Sequence, residues 1–229
     1  MVYEYKFEIE KCWYKDHCNL FNTDKCSGAC PRYMEMHYLM NHANLPTSKM
    51  APIRLTPTTA DTPAYKELKE IQKDINNFVT GGESLYIYSR YFGNGKTSWG
   101  IKLLHSYFDC IWLGNGFRCR GIFISVPDFL YRIKNFKVVD AEFEYIKSLL
   151  AKVDLVIWDD VGATNMSGFD YGNLLYFIDQ RVLDNKSNVY TGNLSQKELI
   201  KVVGDRLTSR IWNNSIRVEF RGKDRRDIK

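Results

Sequence analysis

The stretch "SLYIYSRYFGNGKTSWG", residues 84–100, decides how this chain folds. An apolar segment typical of a buried strand, Leu85–Ser89, leads into a glycine-containing loop and then into a helical pattern that begins at Lys96. This order predicts a loop whose backbone N–H groups surround a phosphate at a helix N-terminus, where the helix dipole favours anions. We expect glycine at Gly93 and Gly95 because these positions need a positive φ or a close approach to the phosphate.

The expected phosphate contacts come from this loop and from the first turn of the helix. The Lys96 ammonium is expected to reach the β- and γ-phosphate oxygens, and the Thr97 hydroxyl to bind Mg²⁺. Arg90 stands six positions before the lysine, where such loops usually carry their first glycine. This departure leaves two interpretations open, a working nucleotide site and a decayed one. The predicted nucleotide-binding residues of the loop are Gly93, Asn94, Gly95, Lys96, Thr97 and Ser98.

A second apolar segment, "DLVIWDDVG" at residues 154–162, ends in two adjacent carboxylates. Asp159 is expected to hold the magnesium ion through water, and Asp160 to polarise the attacking water. Two carboxylates are costly to bury without a cation, so a structural role is the weaker interpretation. Asp159 follows Lys96 by 63 positions, a separation that suits two strands lying side by side.

Apolar segments alternate with amphipathic ones from Ser84 onward, which predicts an α/β fold with a mostly parallel sheet covered on both faces. The predicted strands are Leu85–Ser89, Gly121–Val126, Leu155–Asp160, Asn188–Thr191 and Ile216–Phe220. The predicted helices of this region are Lys96–Phe108, Pro127–Lys134, Ala141–Lys152, Tyr171–Leu183, Gln196–Val203 and Asp205–Trp212. An earlier helix is predicted from Pro63 to Gly81, capped by Asp61 or Thr62.

The segment "SNVYTGNLSQKE" places Asn193 just after a predicted strand, where its amide could position the attacking water. Ser195 and Glu198 have the spacing of a capping box, which makes Ser195 a structural residue rather than a nucleophile.

Two arginines in "GDRLTSRIWNN", Arg206 and Arg210, lie four positions apart on one predicted helical face. A guanidinium placed there could reach the γ-phosphate bound by an adjacent subunit and match its developing charge. The alternative is a surface ion pair with Asp205 or Glu219.

Four of the six cysteines fall within nineteen residues near the N-terminus. No leader peptide is recognisable, so a reducing compartment is expected, in which thiolates bind metal rather than form disulfides. Zinc is the expected ion, with His17 competing against Cys18 as a ligand, and the alternative is a cluster of buried thiols. The predicted zinc ligands are Cys12, Cys18, Cys26 and Cys30.

Three regions are expected: a small cysteine-rich domain at 1–46, a linker at 47–62 and an α/β domain at 63–229. Residues 46–63 hold four of the six prolines, a composition typical of linkers. The net charge is +5, and residues 201–229 account for it with nine basic and four acidic side chains. This excess suits a phosphate-bearing partner, although a solvated tail explains it equally well. The apolar runs are too short to span a membrane, and a cytoplasmic protein is expected.

Together the motifs "YFGNGKTS", "LVIWDDVG", "TGNLS", "GDRLTSRI" and "FRGKDRR" resemble those of the bacterial and phage replicative-helicase loaders of the DnaC/DnaI kind, which are AAA+ ATPases. The resemblance covers roughly residues 63–229, and the four-cysteine N-terminus is similar to the zinc-binding, helicase-contacting domain of Gram-positive loaders. It implies an AAA+ or RecA-like P-loop core without a helical lid, preceded by a small zinc-binding domain.

The resemblance also implies roles for single residues. The loop becomes the Walker A motif, Asp159 and Asp160 the Walker B motif, and Asn193 the sensor-1 residue. Arg210, or with less support Arg206, takes the arginine-finger position. Arg226 stands where the loaders carry a C-terminal arginine, although Asp224 replaces a serine of that motif and Arg225 is a rival.

The implied activity is ATP-dependent loading of a DnaB-type replicative helicase onto single-stranded DNA during phage replication initiation. ATP or ADP, Mg²⁺ and Zn²⁺ are the implied cofactors, and assembly of several copies on ATP binding is implied as well. Lys134, Lys137 and the C-terminal arginines are the candidate DNA contacts. Two alternatives stay open: a non-hydrolysing helicase adaptor or inhibitor, which Arg90 favours, and an IstB-like transposition regulator.

Overall fold

Five parallel strands form one sheet in the order β2-β3-β4-β1-β5 in the computed structural model, which describes residues 7–50, 53–134, 140–164 and 166–223. Every neighbouring pair in this sheet is parallel, as predicted. The strands are β1 (Ser84–Tyr88), β2 (Gly121–Ser125), β3 (Leu155–Val161), β4 (Ser187–Gly192) and β5 (Ile216–Glu219).

Helices cover both faces of the sheet and confirm the predicted α/β class. The helices are α1 (Pro31–Asn41), α2 (Thr62–Lys73), α3 (Ile75–Thr80), α4 (Lys96–Ile111), α5 (Val126–Lys134), α6 (Ala141–Leu150), α7 (Gly168–Leu183) and α8 (Gln196–Thr208). A π-helical turn, Ser209–Asn213, follows α8. Among the described residues, no helix is long and apolar enough to cross a bilayer.

Two hydrophobic clusters, one on each face, hold these layers together. In β1, Leu85 and Ile87 belong to the cluster that includes α1 to α4, whereas Tyr86 belongs to the cluster that includes α5 to α8. Successive strand residues point to opposite faces, and both faces are buried, so the strands carry near-continuous apolar runs instead of alternating patterns.

The strand order corrects one expectation. β3 does not lie beside β1, because β4 pairs with both and stands between them. The carboxyl ends of all five strands still meet at one edge of the sheet, since the strands are parallel. The loop after β1, the end of β3 and the end of β4 therefore converge at the usual ligand-binding edge of an open α/β sheet.

The single helix predicted between Pro63 and Gly81 is divided into α2 and α3 at Asp74. Asp61 occupies the predicted N-cap position of α2, but its side chain makes no capping hydrogen bond to that helix. The fully buried Asp61 carboxylate instead accepts hydrogen bonds from the backbone N–H groups of Arg221 and Gly222, both at 2.8 Å. This contact joins the segment before α2 to the chain that leaves β5.

The N-terminal helix α1 packs into the main core. Met36, Leu39 and Met40 of α1 are buried in the same hydrophobic cluster as α4. The chain after α1 then runs beside β2, where the Phe123 N–H donates to the Ala43 carbonyl at 2.8 Å. The domain boundary at residue 46 stays a prediction, and the helix on its N-terminal side shares the core of the α/β domain.

Candidate nucleotide-binding site

The loop between β1 and α4 has the backbone conformation that its glycines predict. Gly93 has a φ of 64° and Gly95 a φ of 97°, both in the region that side-chain-bearing residues seldom adopt. Gly95 is the N-cap of α4, so the helix begins at Lys96 with its N-terminus directed into the loop. This arrangement presents backbone N–H donors and the positive end of the helix dipole to an anion.

Lys96 is held inside this loop. Its side chain is buried, and Nζ donates to the Tyr91 carbonyl oxygen at 2.9 Å and to Asn94 Oδ1 at 3.1 Å. Both acceptors are neutral oxygens that belong to the loop itself. A phosphate oxygen at the same place would form a stronger, charge-assisted hydrogen bond with the ammonium.

Asn94 contributes more than the predicted backbone donor. Its buried side-chain amide donates to Ser89 Oγ at 2.6 Å and to the Gly222 carbonyl oxygen at 3.4 Å. The loop is therefore connected both to the end of β1 and to the chain after β5. Through Gly222 this connection continues to Asp61, so three separate segments fix the shape of the loop.

Arg90, which stands where such loops usually carry a glycine, is exposed. The side chain that fills the interior of the loop is Lys96. The pKa of Glu198 is lowered, first by the hydrogen bond from the Ser195 hydroxyl and further by the positive charge of Arg90. Arg90 therefore lies in electrostatic range of the start of α8. The capping box of Ser195 and Glu198 is confirmed there.

Asp159, the predicted Walker B carboxylate, lies at the edge of the sheet beside the predicted Walker A residues. Asp159 is buried, and burial raises its pKa to about 6. The pKa is lowered by a hydrogen bond from the Thr191 hydroxyl, raised by the charge of Asp160, and lowered by the Thr97 hydroxyl and the Lys96 ammonium. The Thr97 hydroxyl is thus within hydrogen-bonding reach of Asp159 and the Lys96 ammonium within its electrostatic range, and these are the groups that Mg²⁺ and phosphate need.

Asp160 lies on an irregular turn of the strand. Its φ is 58°, and the register between β3 and β4 shifts between Trp158 and Val161. A carboxylate in the left-handed region occurs where the surrounding structure enforces it, and such backbone strain clusters at functional sites. The shift turns the half-buried Asp160 away from the regular ladder while Asp159 stays buried.

Thr191 is a site residue that the sequence analysis missed. Its hydroxyl donates to Asp159 Oδ1 at 2.5 Å and accepts from the Asp160 N–H at 3.1 Å. It stands two residues before Asn193, on the strand that separates β1 from β3. The predicted sensor Asn193 is half-buried, and its Oδ1 has no hydrogen-bond partner in the part of the chain described here.

The two candidate finger arginines converge on one carboxylate, and it is neither of the predicted partners. Arg210 Nε lies 2.6 Å from Asp179 Oδ1, and an Arg206 terminal nitrogen lies 3.1 Å from Asp179 Oδ2. Asp179 belongs to α7. The alternative interpretation, an ion pair within the chain, is therefore found, but the partner is Asp179 and neither Asp205 nor Glu219.

Several predicted residues fall elsewhere. Arg226 and Lys137 lie outside the described residues. The Lys134 ammonium pairs with the buried carboxylate of Asp170 at 2.6 Å, so this lysine already has an anionic partner. Ser98 Oγ accepts a hydrogen bond from Lys49 Nζ at 3.4 Å, which places the segment before α2 beside the start of α4.

The thiols of Cys18, Cys26 and Cys30 lie within electrostatic range of Cys12. The pKa of Cys12 is raised, chiefly by burial and further by the thiols of Cys26, Cys18 and Cys30. Each of these thiols is half-buried. In the described ranges, no group of three His, Cys, Asp or Glu side chains is arranged closely enough to hold a metal ion. The His17 side chain lies outside the part of the structure that is described.

The cysteine-rich segment is attached to the far end of α4. The ring of Trp13 meets the buried ring of His105 edge to face, with centroids 4.9 Å apart. The Arg32 guanidinium pairs with Asp109 and lies 3.2 Å from the centroid of the Tyr14 ring. The C-terminal half of α4, the helix that begins at the loop after β1, therefore contacts the cysteine-rich segment.

Comparison with solved structures identifies the architecture. The DnaC helicase loader superposes with a TM-score of 0.60 at 18% identity, over 80% of this chain and 98% of that one. The chain has the AAA+ fold. DnaI superposes with a TM-score of 0.58 at 17% identity, over 79% of this chain and 94% of that one. DnaA bound to AMPPCP and single-stranded DNA has a TM-score of 0.58 at 22% identity, over 75% of this chain and 50% of that one.

The fold of these neighbours is the one that the sequence motifs predict. No family model and no curated protein matches the sequence.

Proposed function

We propose that this protein is a magnesium-dependent ATPase that loads a replicative helicase onto single-stranded DNA. The observation that carries the proposal is the convergence of Lys96, Thr97 and Asp159 at the carboxyl edge of the sheet. The likeness to the helicase loaders DnaC and DnaI supports the same function. We propose that it acts in the cytoplasm of a bacterium and that a phage encodes it.

Each group at the site has a distinct task in this proposal. The backbone of Gly93–Lys96 and the Lys96 ammonium bind the β- and γ-phosphates, and Thr97 and Asp159 hold the magnesium ion. Magnesium held there would neutralise negative charge on the two phosphates. Asp160 orients the attacking water. A buried carboxylate whose pKa is raised beside a hydroxyl fits a divalent cation, because the cation removes the penalty on its charged form.

In this proposal, a neighbouring copy of the chain supplies the last catalytic group. Asn193 positions the water from the same chain, and Arg210 reaches the γ-phosphate of an adjacent subunit. The nucleotide site would then be complete only in an assembly of several copies. Arg226, near the C-terminus, is proposed as a further nucleotide contact.

Zinc and the helicase belong to the N-terminal part of the proposal. Cys12, Cys18, Cys26 and Cys30 are soft ligands of the type that structural zinc prefers, and zinc binding would have to draw them closer than they lie in this structure. The cysteine-rich segment is proposed to contact a DnaB-type helicase. Metal analysis of the purified protein should find one zinc ion per chain, and a Cys26→Ser variant should lose it together with helicase binding.

The ATPase proposal is tested by thermal unfolding and by phosphate release, with helicase and single-stranded DNA present. Mg·ATP should raise the melting temperature and be hydrolysed, and Lys96→Ala should abolish both effects. Lys69→Ala removes an exposed lysine from α2 and serves as the control. A wild-type protein that shows neither effect would refute the enzymatic part.

The adaptor alternative has its own support in Arg90, which replaces the first glycine of the loop. In that case Lys96→Ala would still deliver or block the helicase normally. The exposed position of Arg90 and the intact geometry of Gly93 and Gly95 favour the ATPase instead.

A further inference from the structure

Arg206 and Arg210 are both held by one carboxylate of their own chain. Asp179 Oδ1 accepts from Arg210 Nε at 2.6 Å, and Asp179 Oδ2 accepts from Arg206 at 3.1 Å. The Asp179 side chain is only 16% exposed, whereas those of Arg210 and Arg206 are 34% and 63% exposed. A carboxylate with two guanidinium partners and little water forms a stronger contact than an ordinary exposed ion pair.

The backbone that carries the two arginines is set apart from the rest of α8. Gly204 has φ 74° and ψ 166°, which interrupts the helix two residues before Arg206. Arg210 lies in the π-helical turn that follows, and such turns occur at functional positions. The short segment between these two irregularities is bound to α7 through the Asp179 carboxylate.

The lowered pKa of Asp179 keeps its side chain ionised at neutral pH, so the ion pair with Arg210 forms there. Its pKa is lowered, first by the hydrogen bond from Arg210 and then by that from Arg206, against the opposing effect of burial. The carboxylate therefore stays charged under physiological conditions. The same N–H groups that bind a carboxylate are the ones that bind a phosphate, so the two anions compete for Arg210.

We propose that Asp179 is a latch that holds Arg210 within the isolated chain, and that the γ-phosphate of a nucleotide bound by a second copy displaces it. Asp179 is thus a positioning residue that restrains the arginine until two copies meet. This inference rests on the proposed function. The specific consequence is that the Asp179–Arg210 contact slows ATP hydrolysis between two copies when the copies associate weakly.

A mixing experiment isolates this step. A Lys96→Ala, Asp179→Asn chain supplies Arg210 but binds no nucleotide, and an Arg210→Ala chain supplies only a nucleotide site. Hydrolysis in the mixture then arises solely at the junction between the two chains. The control mixture uses Lys96→Ala, Asp109→Asn, which breaks another Arg–Asp pair, Arg32–Asp109, and leaves Asp179 intact.

Release of the latch should raise phosphate release in the first mixture about two- to fivefold over the control at low protein concentration. The charge-preserving Asp179→Glu variant should return the rate to the control value. Equal or lower hydrolysis with Asp179→Asn, while wild-type protein hydrolyses ATP, overturns the latch and leaves the ATPase proposal standing. Hydrolysis that is absent from the wild type and from every Asp179 variant alike refutes the proposed function itself.

A second measurement guards against misfolding. Circular dichroism and thermal unfolding should show that Asp179→Asn keeps the wild-type secondary structure. If the Asn variant does not fold, Asp179→Ser and Asp179→Glu take its place, and the latch then requires a higher rate with Ser than with Glu. The reverse order overturns it.

Discussion

The hydroxyl of Thr191 lies 2.5 Å from Oδ1 of Asp159 and joins the middle strand of the sheet to the proposed magnesium ligand. The hydroxyl oxygen of Thr191 also accepts a hydrogen bond from the Asp160 N–H at 3.1 Å. One side chain on β4 therefore fixes both carboxylates at the end of β3. This geometry gives the first prediction.

Thr191→Val should weaken magnesium-dependent nucleotide binding about tenfold, because a hydrogen bond to a charged acceptor contributes about 1.5–3 kcal/mol. The pKa of Asp159 should rise further when this donor is removed. Thr191→Ser keeps the hydroxyl and should restore most of the affinity. Magnesium titrations of ATP binding for the three proteins provide the measurement, and equal affinities for Val and wild type would contradict the assigned role.

Asp159→Asn should stabilise the protein in the absence of nucleotide. The folded-state pKa of Asp159 is raised to about 6, so the folded protein binds a proton more tightly than the unfolded chain does. The free energy of unfolding therefore falls as the pH rises from about 4 to 6. Asn carries no charge and should escape this loss.

Thermal unfolding at two pH values tests this second prediction. The melting temperature of Asp159→Asn should exceed that of wild type at pH 7.5, and the gain should disappear near pH 4.5. Mg·ATP should not stabilise the variant. A variant that is less stable than wild type at pH 7.5 would show that the buried charge is compensated.

Asp160→Asn and Asp160→Ala should separate backbone strain from catalysis. Asn adopts the left-handed region more readily than Ala, and Asp160 has a φ of 58°. We expect Asn to keep the wild-type stability and to bind Mg·ATP without hydrolysing it. Ala should also lose hydrolysis, and in addition about 1 kcal/mol of stability. Denaturant unfolding and phosphate release together give the answer, and rapid hydrolysis by either variant would remove Asp160 from the mechanism.

Gly222→Ala should destabilise the fold and loosen the phosphate loop. A Cβ atom at residue 222 would lie 2.2 Å from Asp61 Oδ2, so the contact between Asp61 and the chain after β5 must open. We expect a loss of about 2 kcal/mol, together with weaker ATP binding through Asn94. Gly168→Ala serves as the control, because nothing lies within 4 Å of a Cβ added there. Unchanged ATP affinity in a folded Gly222→Ala protein would show that the loop is independent of Asp61.

The parts of the fold that follow from local pattern could be predicted from the sequence. Both loop glycines have the predicted positive φ, and the strands lie within two residues of their predicted bounds, because burial on both faces produces apolar runs. The strand order was not predictable in this way. No local pattern places β4 between β1 and β3, so Thr191 was missed although it lies two residues before Asn193.

Long-range pairing explains the other differences. Asp61 looked like a helix cap because it precedes Pro63, but its carboxylate serves backbone groups 160 and 161 positions away. Asp179 lies 31 positions before Arg210 on a different helix, whereas the charge pattern of one helix points only to neighbours such as Asp205. Contacts of this kind depend on which faces of two helices meet, which the sequence of either helix does not encode.

Isothermal titration of ATP into the purified protein, with and without magnesium, tests the central claim most directly. The convergence of Lys96, Thr97 and Asp159 predicts one site per chain, tight binding that requires Mg²⁺, and loss of the signal in Lys96→Ala but not in Lys69→Ala. Heat of binding that is absent in wild type, or that persists unchanged in Lys96→Ala, would contradict it.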